Sequence, residues 1–153
     1  MRRRLSVPGS VLLTQTIDHR SLMLLTEWPR VFKSAMWVWE LKYDGFRILA
    51  IREGRSARVL TRAGRDISGL FPEITSALCA LRHDVVLDGE LTVLDDHGRP
   101  DWQALNGRAH MTLPASIRTA PPALLYAFDL LAVADRDLRP ATLRCRREAL
   151  RSK

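Results

Sequence analysis

Lys42 follows Glu40 by two positions and precedes Asp44-Gly45 and Arg47 by two to five. A lysine amine is a nucleophile only when neutral, and with an unperturbed pKa of about 10.4 roughly one in 2,500 is neutral at pH 7. A site that uses Lys42 covalently must therefore depress its pKa by burial or by nearby positive charge. Glu40 offers a hydrogen-bond acceptor, while Arg47 and Arg62 offer planar forks suited to carboxylate and phosphate oxygens. Asp88-Gly89-Glu90 forms a second acidic set, in which the glycine permits close backbone approach. Each residue also has a plainer account. Lys42 can be a solvated strand-end lysine, and Glu40 a cross-strand ion partner of Arg47. Asp88 and Glu90 can be the polar side of a half-buried strand, and Phe128 simple core packing.

Hydrophobic periodicity supplies the elements that must position these groups. Met36 to Lys42 alternates Trp37, Trp39 and Leu41 with Val38, Glu40 and Lys42, which predicts a strand with Glu40 and Lys42 on one face and the three apolar groups filling the other. Asp44-Gly45 is a turn signal, with Asp44 organising the turn, and Phe46 to about residue 52 reads as the returning strand of a hairpin. A further strand follows at about 56–62, after Glu53-Gly54. Phe71, Ile74, Leu78 and Leu81 recur at helical spacing, with Pro72 suited to the first turn. Val85 to Leu94 is the next strand, closed by a hairpin-type loop at Asp95-Asp96-His97-Gly98. Asp101 is placed to cap a short helix through Leu105. Ala115 to Pro122 reads as loop, Leu124 to Val133 as an apolar strand with Tyr126, Phe128 and Leu130 at period two, and Leu143 to Arg151 as a short basic helix. Residues 1–20 show no period and read as a loose basic arm before a domain spanning 21–153. The class is α+β, with mostly antiparallel sheets and flanking helices.

The chain has 153 residues, 46% hydrophobic and 27% charged, which is the balance of one globular domain rather than of a disordered chain. Its net charge of +7 favours a phosphate-rich partner, since each neutralised phosphate releases counterions. A solvated basic surface explains the same excess, and charge does not identify the polyanion. Cys79 and Cys145 lack the spacing of a zinc site or a disulfide framework. No apolar run approaches the roughly 20 residues of a membrane span. Pro8-Gly9 and Thr14-Gln15-Thr16 interrupt any signal-peptide core after Met1-Arg2-Arg3-Arg4, so a cytoplasmic setting is expected.

The string Lys42-Tyr43-Asp44-Gly45-Phe46-Arg47 resembles the Lys-x-Asp-Gly-x-Arg motif of the ATP-dependent DNA ligases, within the covalent nucleotidyltransferase superfamily. Thr61-Arg62-Ala63-Gly64-Arg65-Asp66 resembles the family's second motif, Leu87-Asp88-Gly89-Glu90-Leu91 its third, and Tyr126-Ala127-Phe128-Asp129-Leu130-Leu131 the aromatic strand that follows. Four motifs stand in order over roughly ninety residues. Phe71-Pro72-Glu73-Ile74, Trp102-Gln103-Ala104-Leu105 and Ser21-Leu22-Met23-Leu24 resemble the connecting segments of bacterial end-joining ligases, so the likeness runs from about Ser21 to Leu150. It implies a nucleotidyltransferase (ATP-grasp-like) domain in which Lys42 attacks the α-phosphate of ATP and carries AMP. In that frame Glu40 reads the adenine amine, Phe128 stacks on the purine, Arg47 and Arg62 hold ribose and phosphate oxygens, and Glu90 meets the ribose or the metal shell. ATP, Mg²⁺ and nicked or broken DNA are the implied partners.

The same resemblance expects a Glu-Gly strand with a metal-binding carboxylate, a Lys-x-Lys strand and an oligonucleotide-binding domain, and no match to these follows Leu131. The expectation is therefore an incomplete domain, crippled in sealing unless a separate chain or domain supplies the missing strands. Two other readings remain: a non-catalytic nucleotide- or nucleic-acid-binding fragment, and an RNA ligase or capping-type nucleotidyltransferase.

Overall fold

The computed structural model describes residues 16–23, 26–27, 29–30, 34, 37, 39–112 and 114–152. Phe46–Glu53 (β1) and Ser56–Thr61 (β2) form an antiparallel hairpin whose turn includes Gly54 at φ +59. The free edge of β1 pairs with Val85–Val93 (β3), β3 with Ala123–Val133 (β4), and β4 with the two-residue strand Arg136–Asp137 (β5). The result is one antiparallel sheet in the order β2-β1-β3-β4-β5. Among the described residues four α-helices accompany it: Pro72–Cys79 (α1), Trp102–Ala109 (α2), Pro114–Thr119 (α3) and Leu143–Arg151 (α4). The α+β reading holds. Among the described residues no helix is long and apolar enough to cross a membrane.

Strand alternation divides the core. Ile48, Ala50, Leu87 and Leu91 face one side, where Phe71, Ile74 and Leu78 at and within α1 and Leu105 of α2 cover them. Leu49, Ile51, Val86 and Leu131 face the other, against Ile17 and Leu22. Residues 1–15 of the expected basic arm lie outside the described residues, and Ile17, 1% exposed, packs in the second of these clusters. Helix ends follow the residue chemistry. Pro72 opens α1, the Asp101 carboxylate accepts from the Ala104 amide at 2.9 Å, and the Thr142 hydroxyl accepts from the Cys145 amide.

Four expectations need correction. First, the stretch predicted as a strand at 36–42 is not one: residues 39–44 carry no ladder, and Met36 and Val38 lie outside the described residues. Trp37, Trp39 and Leu41 are 62%, 65% and 79% exposed rather than packed. Both edges of β1 are taken by β2 and β3, so the segment cannot pair with β1 as the expected hairpin requires. For the same reason Asp44-Gly45 does not join a hairpin. Secondly, the loop expected at 115–122 contains α3, and α2 continues past Leu105 to Ala109. Thirdly, β5 carried no signal in its sequence. Fourthly, Tyr126, Phe128 and Leu130 do not share a face. Gly89 pairs with Ala127 and Asp88 with Asp129, so Phe128 is the extra residue of a β-bulge, and a second shift leaves Leu131 extra. Tyr126 thus stands opposite Glu90 on one face, while Leu130 lies in the core on the other.

Candidate functional site

Arg47, Asp88, Glu90, Tyr126 and Asp129 lie on one face of β1, β3 and β4, at the end of the sheet where β1 begins. Asp88 and Asp129 are direct cross-strand partners, 1% and 2% exposed. Two carboxylates so placed repel each other unless each has its own cation. The fold provides two. Arg47 grips Asp88 through Nε at 2.5 Å and Nη2 at 2.7 Å, and Arg146 of α4 grips Asp129 through Nε at 2.7 Å and Nη2 at 2.6 Å. Burial pushes the Asp88 carboxyl above its ordinary range, against the opposing pull of Arg47.

Arg47 does more than neutralise Asp88. Its guanidinium carbon lies 4.4 Å from the centre of the Phe128 ring, the position the bulge gives that ring. Its Nη2 also donates to the Met23 carbonyl at 3.1 Å, and its own carbonyl accepts from the Arg62 amide at 3.1 Å. Among the described residues no hydrogen bond is made by its Nη1. Two motif glycines are required here by close approach. A Cβ on Gly45 would overlap the Leu91 carbonyl oxygen, and one on Gly89 would stand 2.7 Å from the Tyr126 carbonyl oxygen.

Two clefts open beside this cluster. The first, of about 400 Å³, is lined by Trp39, Glu40, Leu41, Tyr43, Phe128 and Arg147 among others. The second, of about 540 Å³, is lined by Gly45, Arg47, Arg62, Arg65, Glu90 and His110 among others. The sequence-derived candidates are therefore divided: Glu40 and Phe128 border one cleft, Arg47, Arg62 and Glu90 the other. Phe128 and Arg47, in contact, form the partition. Lys42 lines neither cleft and is exposed, in the chain between Leu41 at the first and Gly45 at the second. Its charge nonetheless reaches the cluster. Burial raises the Glu90 carboxyl above its ordinary range, and Arg47 and then Lys42 are the cations that pull it back. Stacking of Tyr43 on Tyr126, with ring centres 3.8 Å apart, ties the lysine segment to β4.

The plainer account of Glu40, an ion pair with Arg47, does not hold. Glu40 faces Arg147 of α4 instead, at 2.7 Å, and Asp88 takes Arg47. Sequence reasoning also left Asp129, Arg146 and Arg147 without roles. A signal was available for the first two: an acid inside an otherwise apolar strand needs a buried cation, and the arginine-rich segment at 144–147 is a source of one. Nothing in the sequence pointed to the partnership of Glu40 with Arg147.

A family model described as the ATP dependent DNA ligase domain matches residues 23–153. DNA ligase C1 of Mycolicibacterium smegmatis is 39% identical over 127 residues, covering 77% of this chain and 36% of that protein. The multifunctional non-homologous end joining protein LigD of Pseudomonas aeruginosa is 39% identical over 115 residues, 74% of this chain and 13% of LigD. Among solved structures, a mycobacterial DNA ligase D complexed with ATP and MES superposes with a TM-score of 0.63 at 31% identity, covering 74% of this chain and 35% of that one. The ligase domain of LigD from M. tuberculosis gives 0.61 at 32% identity, with the same two coverages. The chain thus spans about a third or less of the length of these relatives.

Proposed function

Because the chain belongs to the ATP-dependent DNA ligase domain family, we propose that its residues form the adenylate-accepting site of a DNA-joining reaction. The Lys42 Nζ lone pair attacks the α-phosphorus of ATP. The bond from that phosphorus to the bridging oxygen breaks, pyrophosphate leaves, and Nζ loses its proton to give lysyl-AMP. AMP then passes to a 5′-phosphate at a nick, and the 3′-hydroxyl displaces it to join the strand. In this reading Phe128 offers the purine a ring face, with Arg47 behind it, and Glu40 accepts from the adenine amine. Arg62 and the remaining Nη1 of Arg47 hold ribose and phosphate oxygens, beside Glu90. The observation that carries the reading is the joint placement of Lys42, Arg47, Glu90 and Phe128 at one end of the sheet, with the lysine's charge acting on Glu90.

Among the described residues no three carboxylates, histidines or cysteines gather as a dedicated metal cage. That fits Mg²⁺, which keeps several waters and takes one or two carboxylates plus substrate phosphates. Glu90 is the residue placed to contribute, and the ion would supply neutralisation of the departing pyrophosphate. Nick sealing is proposed only together with the carboxylate and lysine strands and the oligonucleotide-binding domain that the family resemblance implies, whether in the same chain or from a separate one. DNA is the proposed macromolecular partner, in keeping with the net charge of +7. A reducing cytoplasm is the proposed setting, where the exposed thiols Cys79 and Cys145 stay free.

Incubation with α-labelled ATP and Mg²⁺ tests the assignment. Label should reach the protein and be lost in Lys42→Ala, with one of only three lysines removed. Label persisting in that variant would overturn the nucleophile. Salt-sensitive DNA binding with no label in the wild type would favour a nucleic-acid-binding module. Preferential labelling by GTP would favour a capping-type enzyme.

A further inference from the structure

We propose that Arg147 is a specificity-determining residue of the nucleobase pocket, donating to a ring nitrogen of adenine while Glu40 accepts from the exocyclic amine. This rests on the adenylate reading above and assigns a residue that reading does not use. The first cleft has the makeup of a base pocket: aromatic walls from Trp39, Tyr126 and Phe128, with few polar groups converging on it. Glu40 and Arg147 face each other there at 2.7 Å. That contact is made by Nη1 of Arg147, which is charge-paired with Glu40 although its N–H bonds are not aligned on the carboxylate and it makes no hydrogen bond to any described residue. A guanidinium carries five N–H donors, so a ligand acceptor brought into the cleft can take one while the charge stays balanced by Glu40.

The chemistry of the pair selects the base. Both polar edges of adenine place the amine, a donor, next to a ring nitrogen, an acceptor, so a carboxylate beside a guanidinium matches either edge. Guanine shows two acceptors, N7 and O6, on its Hoogsteen edge, which suits an arginine alone and leaves Glu40 facing an acceptor. Glu40 opposes guanine's O6 on either edge, and Arg147 adds to the discrimination where the Watson–Crick edge is read, because N1 carries a hydrogen in guanine and not in adenine. The geometry also explains why α4 lies against β4: the Arg146–Asp129 pair anchors the helix with Arg147 turned to the cleft.

Equilibrium binding of ATP, 1-deaza-ATP and 7-deaza-ATP to the wild type and to Arg147→Met separates the possibilities. Methionine keeps much of the apolar stem and removes the donors. The wild type should bind one of the two analogues about tenfold more weakly than ATP, the worth of one charge-assisted hydrogen bond. Arg147→Met should lose about tenfold for ATP and no longer distinguish ATP from that analogue. If the wild type binds both analogues as well as ATP, no ring nitrogen is read and the inference falls whatever the variant does. ATP binding and labelling of Lys42 with unchanged analogue ratios in Arg147→Met would overturn the inference alone. Failure of the wild type to bind ATP would overturn it together with the adenylate reading.

Discussion

The sheet end that carries Arg47, Asp88, Glu90 and Phe128 and the segment 39–44 that carries Glu40 and Lys42 are adjacent but held by different means. The first is set by ladders on both sides of β1 and β3 and by two bidentate ion pairs. The second has no ladder and is held through the Tyr43–Tyr126 stack, the Glu40–Arg147 ion pair and the seat of Gly45 against the Leu91 carbonyl. Groups that must stay in place lie in the region held by ladders, while the amine proposed to carry AMP lies in a segment without one. Segments that move in function come from the less stable parts of a fold.

Substitutions should divide along that line. The largest stability effect is expected from Asp88→Ala, which strips Arg47 of its bidentate partner and frees it from Phe128. Unfolding in urea should show a loss of about 3 kcal/mol, and a loss within experimental error would mean that the ladder alone holds Arg47. Tyr43→Leu acts on the other region. Losing the stack should cost about 1 kcal/mol, but the rate of Lys42 labelling should fall about tenfold or more as the segment loses its register with β4. A proportionate loss of stability and rate would erase the distinction between the two regions.

A further effect is expected at a site on the opposite face of the sheet, with none on the labelling of Lys42. Burial raises the Glu73 carboxyl, but hydrogen bonds from Arg108, at 2.7 Å, and from the Ala123 amide, at 2.8 Å, outweigh it and leave the group below its ordinary value. A carboxylate whose folded pKa is depressed contributes stability above its unfolded pKa and loses it as pH falls through the folded one. The gap in unfolding free energy between wild type and Glu73→Gln should therefore be full at neutral pH and close as pH drops below about 4.5. Labelling of Lys42 at pH 7 should be unchanged. A gap that persists in acid would assign the effect to packing instead of charge.

Much of the sheet was legible because local patterns and tertiary partners agree. The strands read at about 46–52, Val85 to Leu94 and Leu124 to Val133 form to within a residue of those bounds, and Pro72 and Asp101 mark the helix starts that form. The segment at 36–42 read just as clearly and failed, because alternation describes one strand while a ladder requires two. The bulge at Phe128 was likewise invisible, since period two continues through it in sequence and is broken only by how β3 lines up against β4.

The order of chemical groups was determined by sequence alone: a lysine before Asp-Gly, arginines at Arg47 and Arg62, the Asp88-Gly89-Glu90 set and the aromatic at Phe128. Tertiary structure decided which acid meets which cation. Asp88 takes Arg47, Asp129 takes Arg146, and Glu40 is left to Arg147, from a helix more than one hundred residues along the chain. Charge pairing depends on distances of a few ångströms in space, and those distances follow from strand register and helix packing, not from separation along the chain.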